Sequence, residues 1–561
     1  MRRVPLFIIV LCTCVSFCSH EDTDSARVGD RTLQPRLSGA QTWQRCRQYL
    51  RANRVVEETA CGDTPAAPPP VQACRVIDSR EDALSVLADE PHCTDSAVVA
   101  LERFADADPT VRSDLAAAYY VRAQRNDQPS DFLEALSAAD RAIAAAPRQA
   151  SAHFNRALIQ EALGLTDEAI ASWDEFLTLE RSGDWAAEAR DHRQRLAQVM
   201  NDATRWERSQ HDLARAIRAR DRNTTARLIA PFPSAAERYF EEELLPRWAA
   251  SPTQTNLEEL SFFAGVLSAR LAGDRFANDI VAAIAQASKE PEKLAALRQG
   301  HAIYGLARRT ERSFQWTEAP GLYRKAVEPL ARGGSPMRLR AQLGVTSIDP
   351  NTEAFKTLER EAQQHHYLHL LARVYWGRAR SEDRGSYIAS IGTYRAAQSL
   401  YAGLRDEEGL AAVHSRVAGV LNVLGNYNLA WREAFYANRY RDRLSEVKDR
   451  QALLVETADA VEAVGHARTA MLYHNAGIRF VQDELRATAP EDIERLRKLT
   501  TNMGVAFRHR AATEFRLGFM DDATKDASEA IRLEGQTERG MTSIGIYRAR
   551  ADELAARAYL H

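Results

Sequence analysis

The sequence predicts an all-α protein, a right-handed α-solenoid of paired helices, and three observations carry that expectation. Small residues recur in a fixed phase with large apolar ones. Glycines fall at the turns of several copies, and no run of alternating β-branched residues bounded by turns argues for a sheet. At 561 residues the chain also exceeds what one core usually serves. A solenoid resolves this, because each repeat packs only on its neighbours and the core grows in one dimension.

The clearest unit is ASAHFNRALIQEALGLTDEAIASWDEFLTL, from Ala150 to Leu179. Ala157 and Ala169 are the small residues at which the two helix backbones approach. Gly164 lies just past the first helix, where a left-handed cap favours glycine. Asp167 and Glu168 occupy the first turn of the second helix, favourable against its dipole. Trp173 and Phe176 follow Ile170 at helical spacing and build the stripe that packs on the next pair. This unit resembles the tetratricopeptide (TPR) repeat, a helix–turn–helix of about 34 residues. A looser copy precedes it at Ala135, Ala142 and Pro147. Later copies fall at Ala307, Ala319, Tyr323 and Ala326; at Ala418, Gly425, Ala430 and Ala437; at Ala458, Gly465, Ala470 and Gly477; and at Ala511, Gly518, Ala523 and Ala530. The glycines at 425, 465 and 518 are 40 and 53 residues apart, so an irregular superhelix is expected.

Between the copies, 206–229, 235–271, 274–288, 336–363 and 366–404 also read as paired helices. Breaks fall at Pro231-Phe232-Pro233, Ser251-Pro252, Gly333-Gly334-Ser335-Pro336 and Asp349-Pro350. The expected organisation is a signal peptide at 1–18 and a Cys-bearing, Pro-rich, largely disordered segment at 19–80. Capping helices at 81–110, a TPR pair at 111–200 and divergent helical repeats at 201–300 follow. TPR-like repeats at 301–561 then end in one unpaired helix, Glu538 to His561, which carries Ile544, Ile546, Leu554, Tyr559 and Leu560.

Met1-Arg2-Arg3 followed by Val4 to Phe17 has the charged start and short apolar stretch of a secretory signal. It is short of the ~20 residues a membrane span needs, and the bulky Phe17 argues against a lipid anchor at Cys18. The expected location is extracytoplasmic, periplasmic or secreted, in a bacterium. Cys46, Cys61, Cys74 and Cys93 fall soon after the leader, and no cysteine follows them. That pattern favours two disulfides with three connectivities open. A zinc site lacks its close cysteine spacing. The net charge of -3 gives no field that would favour nucleic acid. Only 7 of the 74 basic residues are lysine, a bias that a GC-rich genome explains more simply than anion binding.

The stretch DLAAAYYVRAQRNDQPSDFLEALSAADRAIAAAP, with SAHFNRALIQEALGLTDEAIASWDEFL and DWAAEARDHRQRL after it, resembles the amino-terminal repeats of bacterial TPR proteins that carry a carboxy-terminal CHAT domain, a caspase-like peptidase module. LAGDRFANDIVAAIAQA and the later repeats are similar too. The resemblance implies a regulatory, ligand-sensing arm without its peptidase, because the CHAT His and Cys would lie beyond residue 561. It also leaves open a non-catalytic subunit of a split peptidase with a separate catalytic chain.

No phosphate loop, HExxH or GxSxG motif is present, and no catalytic residue or cofactor is expected. Glu361, His365 and His369 are spaced four apart and would share one helix face, a stripe able to bind a divalent ion; the favoured reading is a polar face packed on Tyr367, with no metal. Function therefore rests on binding a protein or peptide. In a TPR stack the first helix of each pair lines the groove. By phase it presents Asn155, Tyr304, Arg308, Arg416, Glu456, Arg508 and His509. Asn155 would bond a ligand amide, and Arg308, Arg416 and Arg508 would hold carboxylates.

Overall fold

The computed structural model describes residues 74–105, 108–202, 205–312, 317–444 and 447–534. The leader, Cys46, Cys61 and the terminal segment 538–561 lie outside them. Among the described residues every regular element is helical, and consecutive helices pack in pairs. The protein is a right-handed α-solenoid of TPR-like helix pairs. No helix among the described residues is long and apolar enough to cross a membrane.

The first section comprises α1 (Arg80–Asp89), α2 (Thr94–Phe104), α3 (Pro109–Asn126), α4 (Ser130–Ala145), α5 (Ala150–Ala162), α6 (Thr166–Leu179) and α7 (Asp184–Asp202). Local chemistry sets the ends. Asp108 caps α3 by accepting from the Thr110 amide at 2.7 Å, with Pro109 in the first turn. A disulfide joins Cys74 to Cys93 and ties the strand-like entry to the turn before α2.

The small residues sit where the helices meet. Ala157, Ala169, Ala418, Ala430, Ala458 and Ala470 have no exposed surface, and Ala511, Ala523 and Ala530 are buried as well. Trp173 is fully buried, with Phe154 edge-on to it at 5.0 Å. Gly164 and Gly518 take positive φ (72° and 82°), the left-handed turn that a side chain resists.

The middle section is less regular. It contains α8 (Arg205–Arg218), α9 (Arg222–Ile229), α10 (Pro233–Tyr239), a π-helical turn (Phe240–Leu244), α11 (Leu245–Ala250), α12 (Gln254–Arg270), α13 (Phe276–Ala287), α14 (Pro291–Arg312), α15 (Ala319–Arg332), α16 (Met337–Ile348) and α17 (Thr352–Gln364). One continuous apolar core runs through it from Leu213 to Leu404.

The last section repeats cleanly: α18 (Leu368–Glu382) with α19 (Tyr387–Gly403), α20 (Glu407–Val423) with α21 (Tyr427–Asn438), α22 (Val447–Ala463) with α23 (Ala467–Ala487), and α24 (Ile493–Leu517) with α25 (Met520–Glu534). The first helices α20, α22 and α24 also pack on one another from pair to pair. Closer approach on that side puts the first helices on the inside of the curve.

The histidine stripe is corrected here. Gln364 ends α17, His365 caps it, and His366 turns the chain with φ at 60°. His369 therefore belongs to α18 and is fully buried, whereas His365 is exposed. Glu361 pairs with Arg338 instead. The three groups do not share a helix face.

The first section also docks on the last. Phe132 stacks on Phe435 at 5.4 Å, and the Tyr473 hydroxyl donates to the Leu163 carbonyl at 2.7 Å. Arg479 donates to Asp167 at 2.9 Å and Glu168 at 2.6 Å, and Tyr436 donates to Asp127 at 2.5 Å. Turns of the amino-terminal pairs thus rest on second helices some 300 positions away.

Candidate functional site

Two groups of polar residues stand out, one in the core and one on the inner helix face. The core group gathers on α10 and the π turn. Glu237 and Glu241, one helical turn apart, both accept from Arg340, the Nε–Glu241 distance being 2.6 Å. Tyr304 donates to Glu241 at 3.1 Å. His369 lies between two carboxylates, with Nδ1 at 2.5 Å from Glu237 and Nε2 at 3.0 Å from Asp406. The Ser234 hydroxyl donates to Asp406 at 2.6 Å and lies 3.2 Å from His369 Nε2.

Asp406 does two jobs, since its other oxygen caps α20 through the Gly409 amide at 3.3 Å. Asp274 accepts from the Phe276 amide at the start of α13 and from the His369 amide, both at 2.8 Å. Burial opposes every charge here. The pairing overcomes it at His369, whose pKa rises to about 9 because Glu237 and Asp406 outweigh desolvation. Arg340 and His369 hold Glu237 well below the usual carboxylate range against the cost of burial. Asp406 is lowered as well, chiefly by its hydrogen bond to His369, again against burial.

Ser234, His369 and Glu237 thus have the order of a nucleophile, a base and an orienting acid. The chemistry does not follow. An imidazolium with a carboxylate on each nitrogen has no lone pair to take the serine proton at neutral pH. His369 is fully buried, and the adjoining cavity, lined by Glu237, Leu271, Asp274 and Phe276, measures about 10 Å³. That is room for one water at most. The cluster fastens α10, α16, α18 and α20 together.

The residues assigned to the groove by phase divide in two. Asn155 is fully buried, and its amide donates to the Ser113 carbonyl at 3.0 Å, joining α5 to α3. Tyr304 and Arg308 are buried too. Arg308 donates to Glu242 at 3.0 Å and Glu311 at 2.5 Å, which holds its charge despite burial. These three join helices and present little or no surface to a ligand, a correction to the phase argument.

Arg416, Glu456, Arg508 and His509 lie instead on the partly exposed inner face of α20, α22 and α24. Arg416 donates to Asp383 at 3.0 Å, and His509 lies 3.3 Å from Asp459. The Glu456 carboxyl rests against Gly419, where an added Cβ would come within 2.8 Å of it. Burial and then Asp459 raise its pKa, while Arg416 and His509 pull it down, so these groups share one strip.

Phase did not single out Arg373, Trp376 and Arg380 on α18, of which Arg380 senses Arg416 and stacks on Trp376 while Arg373 reaches toward Glu237. Their spacings of three and four within the expected helical segment 366–404 were the available signal.

Fold and strip together define a TPR-like helical repeat scaffold. No protein-family model matches the chain, and no curated protein matches it. Among solved structures it is similar to yeast Tom70, at 14% identity over 85% of this chain and 95% of that one, with a TM-score of 0.28. It is similar to the TPR domain of P58(IPK) at 14% identity over 75% and 96%, TM-score 0.21. The Naa15/Naa10 complex bound to HypK-THB gives 13% identity over 84% and 80%, TM-score 0.18.

Proposed function

We propose that this chain is a non-catalytic scaffold that holds a protein or peptide segment along the inner face of α18, α20, α22 and α24. One observation carries the reading: Arg380, Arg416, Glu456 and His509 lie on exposed or partly exposed surface of successive first helices, Arg380 sensing Arg416 and Glu456 sensing Arg416 and His509, so donors and an acceptor lie along one strip. A backbone laid there meets partners at each repeat. The saturated charge cluster around His369 supports the non-catalytic part, since the one nucleophile–base arrangement described above is protonated and closed.

The reading extends to an exported protein. The charged, apolar leader, the cysteine distribution and the Cys74–Cys93 disulfide support this. Its finest form, the sensor arm of a CHAT-type system or the non-catalytic subunit of a split caspase-like peptidase, rests on the sequence resemblance alone. A neighbouring reading frame encoding a His/Cys CHAT domain would favour the split-peptidase form.

The test is charge reversal at Arg416 and Arg508 together, followed by cross-linking and mass spectrometry in the native cell. The expected result is loss of the captured partner with the melting profile retained. Capture at the wild-type level would sink the assignment.

A further inference from the structure

Arg380 differs from its neighbours on the inner strip. Its side chain is exposed, and among the described residues it makes no hydrogen bond and no ion pair. What holds it is Trp376, one turn earlier on α18, with the guanidinium carbon 4.7 Å from the indole centroid. Stacking of this kind fixes the guanidinium plane and leaves its N–H edge pointing away from the ring. The result is a guanidinium braced on an indole, with no acid paired to it among the described residues.

The acidic groups nearby do not fill that role. Asp383 is taken by Arg416 at 3.0 Å and by the Tyr394 hydroxyl at 2.8 Å. Asp449, at the start of α22, attracts Arg380 through space. Glu456 answers to Arg416 and His509. Burial, and then the like charge of Arg416, lower the Arg380 pKa. What sets Arg380 apart is geometric: an exposed guanidinium braced on an indole, free to make a charge-assisted bond to an incoming carboxylate.

We infer that Arg380, stacked on Trp376, is the anchor for a carboxylate of the bound segment, so that the scaffold selects acidic peptides. The inference rests on the inner-face reading and sharpens it: Arg416 and Asp383 form the fixed wall, and Arg380 supplies the donor that the ligand completes. The carboxylate comes from an Asp or Glu side chain or from a chain terminus, and the probes below separate the two.

Three short fluorescein-labelled peptides test it by anisotropy on the whole protein. One alternates Glu and Leu and is amidated, one alternates Gln and Leu with a free carboxyl terminus, and one alternates Gln and Leu and is amidated. The expected result is that a carboxylate-bearing peptide binds about tenfold more tightly than the neutral one, and that Arg380→Gln abolishes the preference. Arg380→Lys should restore part of it, because charge returns without the planar fork. Arg380 has no structural ion pair, so the variant should melt as the wild type does. Equal binding of all three peptides, or a preference that survives Arg380→Gln, overturns the anchor. If that equal binding still falls on charge reversal at Arg416 and Arg508, the inner-face reading stands without it. Binding of none of the peptides contradicts both.

Discussion

Replacing His369 by Gln should destabilise the junction between the middle and last sections by ~3–5 kcal/mol, the usual cost of removing one partner from a buried ion group. The structure supplies the reason. Glu237, Glu241 and Asp406 are buried, and only Arg340 and the His369 imidazolium oppose them from full burial. Arg373 reaches Glu237 from a partly exposed position 3.8 Å away. A second route gives a similar figure. Raising the imidazole from 6.5 to about 9 corresponds to ~3 kcal/mol, at ~1.4 kcal/mol for each tenfold change in proton affinity. The sign follows from the direction. A histidine raised by folding contributes fully below pH 6.5, and that contribution drains away as pH rises through about 9. Glu237 and Asp406 are lowered by folding, so their contribution disappears only in acid. Hydrogen exchange should therefore show opening of 234–244, 369–376 and the start of α20 becoming easier from pH 6.5 to 9 in the wild type. In His369→Gln that slope should vanish and the same amides should exchange faster at neutral pH. Local exchange suits a solenoid better than one global midpoint, because its sections need not unfold together. A change under ~1 kcal/mol, or an unaltered pH slope, would refute the reasoning.

Other perturbations probe other contacts. Non-reducing peptide mapping should recover Cys74 linked to Cys93, and the double Ser variant should lose up to ~3 kcal/mol, confined to 74–104; any other partner for Cys93 contradicts the structure. Asn155→Ala removes the side-chain bond that joins α5 to the Ser113 carbonyl of α3 and should cost ~1 kcal/mol by urea denaturation, whereas no loss would mean that the bond contributes nothing to joining the two helices. Arg479→Glu turns two attractions into repulsions, one at the partly exposed Asp167 and one at the largely buried Glu168, so the stability cost is ~1 kcal/mol or somewhat more, and exchange at 163–168 should rise. Unchanged protection there would argue against the docking of the first section on the last.

The fold was legible because it depends on local rules. Alanines at 157, 169, 418 and 430 mark helix contacts, and Gly164 and Gly518 mark left-handed turns, all within a window of one repeat. The proposed strip rests on the same local rule. Phase along a regular pair reaches Arg416, Glu456 and His509, which the structure leaves partly exposed. It fails at Asn155, which closes a helix contact, and at Tyr304 and Arg308, which Glu241 and Glu242 of the π turn draw inward. The His369 cluster was not legible, since Ser234, Glu237, Arg340, His369 and Asp406 are brought together by tertiary packing across 172 positions. The same limit applied to the His365–His369 pairing, where a left-handed turn at His366 breaks the helix that the spacing assumed.

The central claim is that the inner helix face holds the partner. A photo-crosslinking residue placed in turn at 456 and 509 on that face, and at the exposed Lys525 on α25, tests it most directly. The account predicts one discrete adduct, the same from 456 and 509 and absent from 525. Adducts of equal yield at all three positions, or an adduct from 525 alone, would contradict it.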